Sequence, residues 1–423
     1  MIPPADKSAR QSGSRRLRKI IGIMVIGALL LALAVFLIRR YIGDLRPALF
    51  PASQNIADIL EEQVPLSTSP ADSRAPASGT AAIPLHLPSR FKIGIFARNL
   101  GAPRVLAFSP RGTLFVSLPR DGNVLALPGK KGAGRADEAK VILRGLNTPH
   151  GMAFYEDKLF VAEETGVTRY HWDEMTLTAT RDKALFALPA GGNHVTRSLV
   201  FNGKGQMFVS LGSTCNVCYE KHPWLAAVIT SDKDGNNPRL FARGLRNSVF
   251  LTINPRTDEV WAGDMGRDFL GDDLPPEEIN IIRAGKDYGW PLCYGNKIHD
   301  AEFDRNPSVH DPCATTEPPV FEYQAHSAPL GLAFINSPQF PQDWQGDLLV
   351  AYHGSWNRSA PSGFKVVRFT VRGNTITGSA DFLTGFLRGR EAIGRPADMI
   401  FDEGGSLYLS DDKAGVIYKI SKQ

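Results

Sequence analysis

From about residue 85 to the end of the chain, apolar residues come in short runs cut by glycine, proline, asparagine and aspartate. The runs are rich in β-branched and aromatic residues and helical spacing is nearly absent, which predicts strands joined by tight turns. One phrase recurs: a small residue or proline, an apolar strand, a turn, a second apolar strand. It reads APRVLAFSPRGTLFVS from Ala102, TPHGMAFYEDKLFVAE from Thr148 and VTRSLVFNGKGQMFVS from Val195. It returns as RNSVFLTINPRTDEVWAGD from Arg246, APLGLAFINSPQFPQDWQGDLLVAY from Ala328 and RPADMIFDEGGSLYLSD from Arg395. Six such units predict an all-β chain folded as a six-bladed β-propeller, each blade a small antiparallel sheet around a central channel. A chain of β-sandwiches has no reason to repeat the same two-strand phrase six times.

The N-terminal part follows a different pattern. Residues 20–38, IIGIMVIGALLLALAVFLI, carry no charge, and nineteen helical residues span about 28 Å, close to the hydrocarbon thickness of a bilayer. Six Lys/Arg precede the run and three follow it, which by the positive-inside rule puts the N-terminus in the cytoplasm. A cleaved signal peptide would have a shorter apolar core and a small-residue cleavage site, whereas FLIRRY follows here. The expectation is a single-pass inner-membrane anchor with an exported, periplasmic domain. Residues 1–19 form a basic cytoplasmic segment, 20–38 the anchor, 39–84 a Pro/Ala/Ser-rich linker and 85–423 the propeller. Residues 1–46 hold a net charge of +7 and the remainder −2, so the overall +5 makes no case for a nucleic-acid partner.

All four cysteines fall in the exported part, where disulfides persist. Cys215 and Cys218 form a C-x-x-C, and Cys293 and Cys313 stand twenty apart. No βαβ context surrounds the C-x-x-C, and two separated pairs are a poor zinc site, so both are read as structural disulfides. No C-x-x-C-H occurs, so the chain carries no haem c signature.

In a propeller the innermost strands all run the same way, and residues just before them gather at one mouth of the channel. His194, Arg246, His326 and Arg395 stand six to eight residues before the apolar residue that closes each first strand, and Asn247 adjoins Arg246. Cationic and imidazole groups converging on a channel are costly unless an anionic or polar ligand pairs with them. The register therefore predicts a site for an anionic ligand.

The segments GGNHVTRSLVF, GSTCNVCYE, ARGLRNSVF, GDDLPPEEINIIRAGKDYGWPLCYG, AYHGSWNRS with GFKVVRF, and GRPADMIFDEGGSLYLSDDKAGVIYKI occur in this order. Together they resemble the glucose/sorbosone dehydrogenase family, pyrroloquinoline quinone (PQQ)-dependent aldose sugar dehydrogenases, and are most similar to its sorbosone-dehydrogenase-like branch. The resemblance implies that His194 is the general base and Arg246 the arginine that stabilises negative charge on the quinone. It places Asn247, Lys365 and Arg395 at the cofactor; the register adds His326, and the sorbosone-dehydrogenase-like branch points to Arg358 and His353 to complete the site. It also implies Ca²⁺, with Glu277, Glu278, the carbonyl of Tyr288 and the backbone at Gly266 as ligands. Two positions depart from soluble glucose dehydrogenases: Ile393 replaces an arginine and His326 a threonine. The activity implied is oxidation of an aldose or related alcohol or aldehyde to a lactone or acid, with electrons leaving to a cytochrome or a membrane quinone. A Ca²⁺-dependent lactonase on the same architecture and a non-enzymatic binding propeller are the alternatives.

Overall fold

The computed structural model describes Met24, Gly27 and residues 29–34, 84–129, 134–305 and 311–423. The expected anchor and linker lie largely outside the described residues. Those of the anchor that are described, Met24, Gly27 and 29–34, are helical. Among the described residues no helix is long and apolar enough to cross a membrane.

From residue 84 on, the chain forms six four-stranded antiparallel sheets. Blade 1 is Leu106–Phe108, Leu114–Leu118, Asn123–Leu127 and Lys140–Leu143; blade 2 is Met152–Tyr155, Lys158–Glu163, Gly166–Asp173 and Thr178–Ala187. Blade 3 is Arg197–Phe201, Gln206–Leu211, Ala227–Asp232 and Arg239–Arg243; blade 4 is Leu251–Ile253, Val260–Asp264, Glu277–Ile282 and Phe321–Tyr323. Blade 5 is Pro329–Phe334, Leu348–Tyr352, Lys365–Arg372 and Thr375–Leu383. Blade 6 joins Pro396–Phe401, Leu407–Asp411 and Val416–Lys422 to an outer strand, Phe91–Ala97, from the other end of the domain.

The first strand of each blade neighbours the first strands of the blades on either side, and the sixth returns to the first, so the ring is closed. Each of the six sequence phrases is the inner strand pair of one blade. Because the inner pairs are covered on both faces, they read as continuous apolar runs: Leu114, Phe115 and Val116 are buried, as are Leu348, Leu349 and Val350. Aromatic pairs lock the junctions between blades, with ring centroids 4.7–5.3 Å apart: Phe115–Phe154, Phe160–Phe201, Trp261–Phe334 and Phe108–Tyr408.

Two connections matter for function. Both expected disulfides are formed, Cys215–Cys218 and Cys293–Cys313. The long stretch between the fourth and fifth repeats lies inside blade 4, between its third and fourth strands. It contains the small hairpin Cys293–Tyr294 with Ile298–His299 that the second disulfide ties down.

Candidate active site

Each blade delivers one cationic or imidazole residue just before its first strand: Arg104, His150, His194, Arg246, His326 and Arg395. Common strand direction puts them at the same end of the channel, as the register predicted, but their side chains do different things.

His194 Nδ1 lies 3.0 Å from the carbonyl oxygen of Ser213 and 2.9 Å from its hydroxyl. That hydroxyl donates onward to the Cys215 carbonyl at 2.7 Å. A carbonyl can only accept, so Nδ1 carries the proton and Nε2 presents its lone pair. Burial and then the charge of Arg246 push the imidazole pKa down to about 4, so the ring is neutral at pH 7. Arg197, fully buried beneath it, donates to the carbonyls of His194, Thr196, Glu164 and Pro189. It fixes the His194 backbone and stays out of the mouth.

Arg246 is almost enclosed. Its Nε donates to the Asn216 carbonyl at 2.9 Å, and its Nη2 to Asn216 Oδ1 at 2.8 Å and Asp268 Oδ2 at 2.9 Å. Its own amide and that of Asn247 bind Asp264, whose carboxyl burial raises to about 6.

On the opposite side Arg395 donates to the carbonyls of His353, Gly354 and Ser355 and lies over the Phe364 ring, 4.8 Å from its centroid. Next to it Asp412 pairs with Arg104 and with His353 Nε2, at 2.8 Å. Burial works to raise Asp412, but His353 and Arg104 outweigh it and hold the carboxyl well below its usual range. Burial and then Arg395 lower the pKa of Lys413. The connection 353–362 joins the two halves: Gly354 and Ser355 hold Arg395, while Asn357 Nδ2 donates to Asp268, the partner of Arg246, at 2.7 Å.

Three expected cofactor contacts are engaged elsewhere. The Lys365 ammonium pairs with Asp381 on the neighbouring outer strand of blade 5, at 2.7 Å. His326 Nε2 contacts the Gly271 carbonyl at 2.8 Å, and Arg358 holds the Asp272 carbonyl and Asp273. Both brace the acidic connection 265–276.

The proposed metal ligands also divide. Glu277 Oε2 and Oε1 accept from the amides of Gly266 and Ala328, which makes it a brace between blades 4 and 5. Glu278 also accepts, from the Gly295 amide at 2.6 Å and Asn280 Nδ2 at 2.9 Å, but it borders a cavity of about 20 Å³ with Gly266, Tyr288, Asp264 and Asp300, enough for one water-sized occupant. The Tyr288 phenol donates to the Ile281 carbonyl, leaving its backbone carbonyl as its available oxygen. Burial raises Glu278 to about 8, with Asp264 adding to the effect. A cation beside it would offset the penalty on ionisation, and a buried set of hard oxygens suits Ca²⁺.

A family model described as TrAA12-like matches residues 85–423. The chain belongs to the TrAA12-like family. An uncharacterized protein of Borreliella burgdorferi is 30% identical over 357 residues, 79% of this chain and 90% of its own. The aldose sugar dehydrogenase YliI of Escherichia coli is 30% identical over 246 residues, 54% of this chain and 60% of that enzyme. Among solved structures, the calcium structure of Trichoderma reesei carbohydrate-active enzyme family AA12 superposes with a TM-score of 0.70 at 21% identity, covering 80% of this chain and 97% of that one. The holo form of the pyranose dehydrogenase PQQ domain from Coprinopsis cinerea gives 0.69 at 20% identity, covering 80% and 97%. These relatives agree with the resemblance read from the sequence.

Within the TrAA12-like domain, Arg104, Ser213, Asn216, Asp412 and Lys413 are among the residues that the sequence reading did not find. Arg104 had a signal: it precedes the first strand of the first repeat as Arg395 precedes that of the last. Asn216 and Asp412 lie on connections, where no register applies.

The TrAA12-like mouth also depends on Gly212. A Cβ there would sit 2.5 Å from His194 Cβ and 2.8 Å from Asn247 Oδ1. Gly212→Ala is expected to cut turnover at least tenfold by displacing both side chains, since sub-ångström misplacement of reacting groups costs on this scale. Steady-state kinetics beside a thermal melt would check it; a variant with wild-type kcat would mean that neither side chain needs its present position.

Proposed function

We propose that the protein is a PQQ-dependent, Ca²⁺-requiring sugar dehydrogenase, anchored by residues 20–38 with its catalytic domain in the periplasm. The observation that carries the catalytic part is His194: a neutral imidazole with Nδ1 committed to a carbonyl and Nε2 free, next to a fixed guanidinium. The donor set fits the quinone. Arg246, Arg395, Arg104 and Lys413 crowd one mouth, and burial and mutual repulsion depress Lys413 and Arg395, which a polycarboxylate ligand would relieve. Bound PQQ supplies a two-electron acceptor for hydride. The protein's part is proton and charge handling. His194 Nε2 takes the proton of the sugar hydroxyl, Ser213 holds the ring in the required tautomer, and Arg246 and Arg395 supply fixed positive charge with no reorganisation. Arg395 and Asn247 would hold the cofactor, and Glu278, Asp264 and the Tyr288 and Gly266 carbonyls the Ca²⁺. Anchoring and export are supported by the uncharged run and its flanking basic residues. Electron delivery to a cytochrome or membrane quinone would follow from that location.

The test is reconstitution of the purified apoprotein with PQQ and Ca²⁺, then an aldose panel with an artificial electron acceptor. Absence of both turnover and a shift in quinone absorbance would overturn the reading. Metal binding has its own check. Glu277 and Glu278 have folded pKa values of about 8 against 4.5 in an unfolded chain. Folding then takes up protons, so without metal the stability present at low pH is lost as pH rises toward 8, by up to about 1.4 kcal/mol per pH unit for each group. Ca²⁺ should raise Tm at pH 8 and remove the Glu278 share of this dependence between pH 6.5 and 8, leaving that of Glu277. A Tm indifferent to Ca²⁺ throughout that window would remove the site.

A further inference from the structure

We infer that the loop closed by the Cys215–Cys218 disulfide is a positioning element for both reacting side chains, with Asn216 as the positioning residue for Arg246. The inference rests on the roles of His194 and Arg246 proposed above.

The loop leaves the second strand of blade 3 after Leu211 and lies at the junction with blade 4. Its first part serves His194: the Ser213 carbonyl and hydroxyl hold Nδ1, and the Ser213 amide donates to the Arg246 carbonyl at 2.8 Å. Its disulfide-closed part serves Arg246. The Asn216 carbonyl takes Nε, and Asn216 Oδ1 takes both Nη2 and the Asp268 amide, the latter at 2.7 Å. Asn216 Nδ2 returns a bond to the Asp268 carbonyl at 3.1 Å. On the far side, Glu220 accepts from the Thr214 amide at 2.6 Å and hydroxyl at 2.9 Å. Cys215, Cys218 and Glu220 stand close enough to suggest a metal site, but both sulfurs are used in the disulfide.

None of these contacts is needed to build a blade, because the neighbouring strands Gln206–Leu211 and Ala227–Asp232 pair along their length without the loop. What the loop adds is orientation. Without Asn216 the guanidinium keeps Asp268 at Nη2 and a long contact of 3.4 Å from Nη1 to the Met265 carbonyl, which hold its plane only weakly. Two acceptors on Asn216, one at Nε and one at Nη2, fix the plane, because the donors of a guanidinium form a rigid fork. A short span with no strand pairing pays backbone entropy to stay ordered, about 1–2 kcal/mol per residue, and a cross-link lowers that cost. The disulfide therefore holds Asn216 ready, and Asn216 holds the arginine. One loop thus sets the relative position of a base on blade 3 and a cation on blade 4.

The test compares Asn216→Ala, Asn216→Asp and the double variant Cys215→Ser/Cys218→Ser in the full chain. With PQQ, Ca²⁺ and an aldose, Asn216→Ala should lose about tenfold or more in kcat with KM changed far less. Asn216→Asp keeps an acceptor for Nη2 and should recover most of the loss, and the double serine variant should fall between. The second readout needs neither quinone nor sugar: an NMR titration of the His194 imidazole in the cofactor-free protein. In Asn216→Ala it should move upward: the backbone carbonyl of residue 216 still takes Nε, but Nη2 loses its Asn216 acceptor and the Asp268 amide its anchor, which loosens the guanidinium that depresses the imidazole. An unchanged kcat and an unmoved titration, with only thermal stability lowered, would reduce the loop to a staple and overturn the inference. Failure of the wild-type chain to take up PQQ would overturn the quinoprotein reading alone, since the titration is read without it.

Discussion

His194→Ala in the PQQ- and Ca²⁺-loaded protein is expected to lower kcat by about 10²–10⁴-fold, the usual contribution of a positioned general base. PQQ binding, read by quinone absorbance, should change little. Proton removal from a sugar hydroxyl needs an unprotonated acceptor, and His194 meets that condition twice. Its Nδ1 faces a carbonyl, which selects the tautomer with a free Nε2, and burial with Arg246 nearby keeps the ring neutral. The side chain is only partly enclosed and its one anchor is Ser213, so truncation should cost about 1 kcal/mol of stability. A large loss of activity in a folded, PQQ-binding variant would separate a base from a structural histidine. Activity within tenfold of wild type would assign the proton to another group.

Arg246→Ala should damage both stability and turnover. The side chain is 5% exposed and pairs with Asp268, so truncation leaves a partly buried carboxylate without its cation, at a cost of about 3–5 kcal/mol. Turnover should fall by a further 10²–10³-fold, roughly the value of one preorganised charge-stabilising donor. Two companions separate the effects. Arg246→Lys keeps the charge but cannot reach Asn216 at two points, so it should recover stability more than kcat. Arg246→Ala/Asp268→Asn removes the stranded carboxylate and should melt higher than Arg246→Ala while remaining inactive. If the single and double variants melt together, the pair contributes nothing to folding. If Arg246→Lys turns over like wild type, the fork geometry is irrelevant.

How far the site could be read in advance depended on where each residue stands. His194, Arg246 and Arg395 were legible because each precedes the first strand of a repeat, and the repeat carries its own register. Lys365 stands outside that register, on a third strand, and its ammonium meets Asp381. Glu277 and Glu278 are adjacent in a strand, where successive side chains point to opposite faces. The sequence offers both as ligands, and only the tertiary structure shows that the first binds the Gly266 and Ala328 amides while the second binds the Gly295 amide and Asn280 and borders the cavity. Asp411 and Asp412 divide in the same way: one binds the Arg395 amide, the other the side chains of Arg104 and His353.

The sequence by itself determined the architecture, because apolar strand pairs repeated six times can bury their faces only against one another, and closing the ring places the residues before the inner strands at one mouth. It also carried the family resemblance and both disulfide pairs. Only the tertiary structure decided that blade 6 is completed by Phe91–Ala97, that Arg104 joins Asp412 across 308 residues of chain, and that Asn216 and Ser213 orient the reacting side chains. The physical reason is the same in each case. Strand patterning is periodic and local, whereas these contacts are made by connections and chain ends, whose partners are set by ring closure and not by any spacing along the chain.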